Sequence, residues 1–249
     1  MGTLEGRVAI VTGAARGIGR AYALGLAAEG AAVVVADLVP GDAVAGEVEE
    51  AGGIAAAMHV DVSDPASSAR LAADAVARFG RIDILVNNAA YFRYVVKHPL
   101  DEIPIEEWDR AFAVNVRGTW LTTCAVLPTM RAQGEGRVIN VSSMTVWKGT
   151  PNFAHYVASK AAIVGLTRAM ATELGAHNIT VNTVVPDFTP HDIENQADPA
   201  IDARNVADRV IKRTQRPEDM VGAVVFLAGP GAAFITGQSL IVNGGSRYT

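Results

Sequence analysis

Residues 138–160 read VINVSSMTVWKGTPNFAHYVASK. Val138 to Val141 predict a buried strand. The pattern breaks at Ser142-Ser143 and crosses a loop with Trp147, Gly149 and Pro151. A small-residue helix follows, carrying Tyr156 and Lys160. Those two are four apart, so they share a helix face about one turn from each other. Ser143 lies thirteen residues before Tyr156, at the strand's carboxyl end. Open α/β sheets place their ligands at that end.

Proton transfer by a phenol is the chemistry this spacing suggests. A free tyrosine ionises near pH ~10 and is a poor base at neutrality. An ammonium one turn away favours the phenolate, so Lys160 is expected to lower the Tyr156 pKa. The Ser143 hydroxyl can hold a substrate oxygen beside the phenol. Tyr-x-x-x-Lys alone reads first as an ordinary helix pair, so the rest of the chain decides.

Outward from this stretch, strand and helix patterns alternate. Strands are expected at Val8 to Val11, Ala32 to Ala36, Ile54 to Val60, Ile82 to Val86, Val138 to Val141, Ile179 to Val185 and Ser239 to Val242. Ser63-Asp64-Pro65 is a helix start, and Gly80 stops that helix. One long helix is expected from Ile105 to Met130, with Trp108, Phe112, Val116, Trp120 and Leu121 among its apolar positions. Pro186 to Arg216 reads as polar and irregular, and within it Pro186 to about Ala200 has the length of a lid or binding loop. The pattern implies a doubly wound parallel sheet of seven strands, helices on both faces, in one α/β domain over residues 1–249.

Charge and composition exclude several classes. A net charge of −5 without a basic run argues against nucleic acid. No apolar run is long enough for a transmembrane helix, and the start lacks a signal-peptide pattern, so the expected compartment is the cytoplasm. The single cysteine, Cys124, excludes an intrachain disulfide and reads as a small buried hydrophobe. His191, Asp192 and Glu194 match no zinc spacing, so no metal is expected.

The turn after the first strand reads Thr12-Gly13-Ala14-Ala15-Arg16-Gly17-Ile18-Gly19. Its glycines permit a tight turn, and the helix it opens presents free N–H groups to a pyrophosphate. Asp37 ends the second strand, eighteen residues after Gly19. A carboxylate there accepts from both ribose hydroxyls and repels a 2′-phosphate. Leu38 follows where arginine would suit that phosphate. NAD is therefore expected rather than NADP.

Together the glycine turn, Asn87-Asn88-Ala89, Asn115, Ser143 and Tyr156-x-x-x-Lys160 resemble a short-chain dehydrogenase/reductase over essentially the whole chain. The resemblance implies strand order 3-2-1-4-5-6-7 and hydride transfer between a nicotinamide and an alcohol or carbonyl carbon. It assigns Tyr156 as general acid/base, Lys160 to its pKa and the nicotinamide ribose, Ser143 to the substrate oxygen, and Asn115 to a water leading from Lys160 to solvent. Cofactor contacts are implied at Gly13, Arg16, Gly17, Ile18, Gly19, Asp37, Leu38, Asp61, Val62, Asn88, Ala89, Tyr156, Lys160, Pro186, Asp187 and Thr189. Asp61-Val62 can also be only a helix-capping turn, and Ile18 only core.

The usual Asn-Asn-Ala-Gly is here Asn87-Asn88-Ala89-Ala90, and the usual Pro-Gly is Pro186-Asp187. An aspartate beside the nicotinamide is expected to favour its oxidised, cationic form. Met144, Trp147, Phe153, Tyr91, Tyr94 and the lid are expected to face a small aromatic or cyclic secondary alcohol or ketone. The resemblance also implies a homotetramer. Two alternatives stand beside the alcohol dehydrogenase: an NADPH-type 3-ketoacyl reductase, and a dinucleotide-sensing regulator without turnover.

Overall fold

The computed structural model describes residues 2–92, 95–190 and 199–248. Seven strands form one parallel sheet: β1 (Val8–Thr12), β2 (Ala32–Asp37), β3 (Ile54–His59), β4 (Ile84–Asn87), β5 (Gly136–Val141), β6 (Ile179–Pro186) and β7 (Ser239–Val242). Their order is 3-2-1-4-5-6-7, as expected. In register, Ile10 lies between Val34 and Leu85.

Strand side chains alternate between two buried faces. Val11, Val33 and Val35 join Tyr22, Leu26 and Val224 on one face. Ile10, Val34 and Leu85 join Leu71, Met130 and Leu174 on the other. Helices α1 (Gly17–Ala28), α2 (Asp42–Glu50) and α9 (Val221–Ala228) supply the first layer. Helices α3 (Pro65–Phe79), α5 (Gly118–Gln133) and α7 (Ala154–Leu174) supply the second. The order reverses between β1 and β4, so a crevice opens where their carboxyl ends diverge.

Helix α3 begins as the sequence indicates: Asp64 accepts from Ala66 N–H at 3.0 Å and Ser67 N–H at 3.1 Å. Gly80 ends it in the left-handed region at φ 77°. The expected helix from Ile105 to Met130 is instead α4 (Ile105–Phe112), a π-helical segment Ala113–Arg117, and α5. Thr119 Oγ1 donates to the Asn115 carbonyl at 2.8 Å, within the bulge.

Three expectations are corrected. Residues 186–216 are not irregular throughout, because α8 (Pro199–Asp208) lies within them. Cys124 is exposed, not buried. α5 is apolar on its outer side too, so composition did not separate its two faces. Met144 is fully buried, so it packs in the core and does not face a substrate. Tyr94, His191, Asp192 and Glu194 lie outside the described residues.

At the amino end of the sheet, Asp83 is buried and accepts from Val8 N–H at 2.8 Å, Arg7 at 2.9 Å and Arg81 at 2.7 Å. Glu135 also pairs with Arg7. Among the described residues, no helix is long and apolar enough to cross a membrane.

Candidate active site

The glycine turn closes against Asn88. Gly13 and Gly17 have φ of 65° and 58°, a region open to glycine without strain. A Cβ on Gly19 would stand 2.1 Å from the Gly13 carbonyl oxygen. Asn88 Nδ2 donates to the carbonyls of Thr12 and Gly13, both at 3.0 Å. Thr12 Oγ1 accepts from the N–H groups of Asn88 and Ala89, both at 3.1 Å. Thr12 was not singled out in the sequence, yet it ties the turn to β4.

Helix α1 starts with no side-chain cap, so its first N–H groups are left for an anion. Asp37 Oδ2 accepts from Ala15 N–H at 2.9 Å, and Oδ1 from Val39 N–H at 3.2 Å. Arg16 and Leu38 are exposed beside this carboxylate. Ile18 packs against the core. Asp61 accepts from Ser63 N–H at 2.9 Å and Ser63 Oγ at 2.6 Å, a turn that leads into the α3 cap. Val62 is buried against Gly118. The turn, the uncapped helix and the carboxylate at the end of β2 together fit a dinucleotide.

Ser143, Tyr156 and Lys160 meet at the carboxyl end of β5. Ser143 Oγ accepts from Thr145 N–H at 3.2 Å and Thr145 Oγ1 at 3.1 Å. The Ser143 hydroxyl acts on the Tyr156 hydroxyl in the direction that favours the phenolate. Thr145 was missed from the sequence; its only signal was a hydroxyl two residues after Ser143. It begins the short helix α6 (Thr145–Lys148).

Lys160 is buried and donates to the Val141 carbonyl at 2.8 Å. Its Nζ is 5.9 Å from the Tyr156 ring centre. Burial pushes Lys160 down from 10.5 to about 8. Burial also pushes the Tyr156 hydroxyl up, against a smaller lowering by Ser143. In the protein alone burial dominates at Tyr156, and Ser143 offsets it only in part.

Asn115 is buried in the π segment. Its Oδ1 accepts from Tyr91 N–H at 2.7 Å, and its Nδ2 donates to Ser159 Oγ at 2.9 Å. Ser159 in turn donates to the Tyr156 carbonyl at 2.8 Å. The Asn115 side chain thus braces the active helix.

Phe92 and Phe153 pack on Tyr156 with ring centres 5.3 and 4.9 Å away. Trp147 and Tyr91 are half-buried nearby in sequence. His155, beside Tyr156, faces elsewhere: its Nε2 lies 3.2 Å from Glu107.

At the end of β6, Pro186 accepts from Met144 N–H at 2.9 Å. Thr189 is buried, and its Oγ1 donates to the Asp187 carbonyl at 3.0 Å. Asp187 pairs with Lys148 at 2.6 Å. Burial pushes its carboxyl up, but bonds from Lys148, Ser246 and Phe188 N–H hold it below the usual range. Its charge is matched inside the protein.

Among the described residues, no group of three histidine, cysteine or acidic side chains is placed to hold a metal.

Comparison with known proteins agrees with this geometry. A family model described as enoyl-(acyl carrier protein) reductase matches residues 13–247. The 3-oxoacyl-[acyl-carrier-protein] reductase of Synechocystis is 39% identical over 98% of each chain. Cis-4-hydroxycyclohexanecarboxylate dehydrogenase of Sinomonas cyclohexanicum is 39% identical over 96% of this chain and 96% of its own. A candidate NAD(P)-dependent gluconate 5-dehydrogenase from Beutenbergia cavernae, crystallised with NADP, superposes with a TM-score of 0.89. It is 38% identical, covering 97% of this chain and 96% of that one.

Proposed function

The chain belongs to the short-chain dehydrogenase/reductase family, a family of oxidoreductases, and from that premise we propose that it is an NAD-dependent dehydrogenase of secondary alcohols. The observation that carries this is the gathering of Ser143, Tyr156 and buried Lys160 at the carboxyl end of β5. We propose one catalytic domain, assembled as a homotetramer.

When bound, the nicotinamide supplies or accepts the hydride. The glycine turn and the α1 N-terminus would hold its pyrophosphate, and Asp37 its adenosine ribose. Asn88 and Ala89 would line it on the β4 side, and Pro186 and Thr189 on the β6 side. Lys160 would bond its nicotinamide ribose.

The protein's own part is to manage one proton. Ser143 presents its hydroxyl hydrogen to the substrate oxygen. Tyr156, with its proton retained by burial, gives that proton to a carbonyl oxygen during reduction. Oxidation asks the phenol to release its proton first. Lys160, with its pKa near 8, favours the phenolate through its charged form. Asn115 positions the helix that carries both. Phe92 and Phe153 favour an apolar or ring-bearing substrate at the phenol.

Asp37 supports NAD over NADP, since its carboxylate would face a 2′-phosphate. A second reading has specific support: the Synechocystis relative is a 3-oxoacyl reductase, and the Beutenbergia structure holds NADP. A single assay separates them. Reduced-nicotinamide formation is followed with NAD⁺ and NADP⁺ over aryl, cyclic and sugar alcohols, and the reverse reaction with 3-ketoacyl thioesters. We expect NAD⁺ turnover with a ring-bearing alcohol, and loss of at least ~10³-fold in Tyr156→Phe. A preference for NADPH and ketoacyl thioesters would overturn the dehydrogenase. Dinucleotide binding with no turnover on any substrate would favour a sensor.

A further inference from the structure

Asp187 is the buried centre of a polar hub. Its Oδ1 accepts from Lys148 Nζ at 2.6 Å and Phe188 N–H at 2.8 Å. Its Oδ2 accepts from Ser246 Oγ at 2.7 Å and faces Arg209 Nε at 3.9 Å. Lys148 Nζ continues to Asn205 Oδ1 at 3.3 Å. Arg209 is buried and donates to the Phe188 carbonyl at 2.5 Å and the Arg213 carbonyl at 3.0 Å.

These partners come from separate segments. Lys148 ends α6, Asn205 lies in α8, Arg209 follows α8, and Ser246 is in the C-terminal tail. The Gly244 carbonyl also accepts from the N–H groups of Val210 and Ile211, both at 2.9 Å, so the tail is tied to the segment after α8. The catalytic side is near: α6 begins two residues after Ser143, and Met144 N–H donates to Pro186 O at 2.9 Å.

We propose that the Asp187–Lys148 pair is a latch that positions α8 and the C-terminal tail against the Ser143–Lys148 segment and so shapes the substrate side of the site. Only the last clause rests on the proposed function. Both act here as positioning residues. The charge chemistry makes a specific demand. Removing Lys148 alone leaves Asp187 buried with its nearest cation at 3.9 Å. Removing Asp187 alone leaves Lys148 and Arg209 without their common anion. Neutralising both removes the pair together with its desolvation cost. The two single substitutions should therefore be non-additive.

Hydrogen–deuterium exchange on the full chain, without ligand, tests the latch independently of turnover. The chains compared are wild type, Lys148→Met, Asp187→Asn, their double variant, and Asn205→Ala. In each single substitution at Lys148 or Asp187, peptides over 199–208 and 239–248 should exchange about tenfold faster, while β4 and β5 stay unchanged. The double variant should fall short of the two effects combined. Asn205→Ala, which removes the α8 end of the hub together with the Asn205–Ile201 bond inside the helix, should accelerate 199–208 alone, and by less than Lys148→Met. Unchanged exchange at 199–208 in Lys148→Met and Asn205→Ala would overturn the latch. Uniform acceleration including β4 and β5 would also overturn it, because the pair would then serve only global stability. With a substrate from the panel above, Lys148→Met should raise KM about fivefold with a smaller change in kcat. A fall in kcat at constant KM would remove the substrate-side clause and leave the exchange result standing.

Discussion

Lys160 is held in the interior with one carbonyl, Val141, as the bonded partner of its ammonium. Its folded pKa of about 8 lies below the ordinary 10.5, so the folded state binds fewer protons than the unfolded state between those values. Keeping this group charged therefore costs stability below pH 8, and the cost fades as pH rises from 8 to 10.5. Tyr156 acts oppositely and only above its ordinary 10.0, where the unfolded chain loses a proton that the folded chain keeps. Lys160→Met should accordingly stabilise the ligand-free protein at pH 7, by up to about 3 kcal/mol. The advantage should shrink toward pH 10. Urea unfolding of both chains at pH 7, 8.5 and 10 measures it; a pH-independent difference would show that Lys160 is not desolvated. The positions of Ser143, Tyr156 and Lys160 were legible because they depend on one strand, one turn and one helix face. Their proton affinities were not, because burial is set by Phe92, Phe153 and the sheet, which lie elsewhere in the chain.

Elements separate the chemistry from part of the stability. Asp83, just before β4, accepts from β1 at Val8 and from Arg7 and Arg81, at the amino end of the sheet. Burial pushes its carboxyl up, but Arg81, Val8 N–H and Arg7 hold it below the ordinary 3.8. Its stabilisation is present above that ordinary value and lost as pH falls through the folded one. Asp83→Asn should cost about 3 kcal/mol at neutral pH and flatten the acid limb of the stability curve. Turnover should persist, since the site is at the opposite end of the strands. Denaturant unfolding at pH 7 and pH 3, with activity at pH 7, checks both parts. At this scale most strands and α3 could be read directly: β-branched runs mark β1, β2, β5 and β6, and Asp64-Pro65-to-Gly80 brackets the helix. Helix α8 could not. It is polar, and its Asn205 and the following Arg209 gain their meaning from Lys148 and Asp187, whose approach no local pattern announces.

Taken whole, the molecule leaves large apolar side chains in solvent. Phe234 is completely exposed, Tyr248 is 82% exposed, and Trp120 on α5 is half-exposed. Such side chains mark an association site where they join into one contiguous patch. The proposed homotetramer predicts a light-scattering mass four times the 26.0 kDa of one chain. Phe234→Glu should lower it, and a wild-type mass of a single chain would sink the assembly. The lone thiol makes a finer measurement possible. Cys124 is exposed on α5, and burial of its surroundings pushes its pKa up, so alkylation at neutral pH is slow enough to time. Each copy can take up one label and no more. If a neighbouring copy shields the outer face of α5, labelling will slow as the protein is concentrated. If that face stays bare, the rate will not depend on concentration, and the exposed tryptophan beside it will need another explanation.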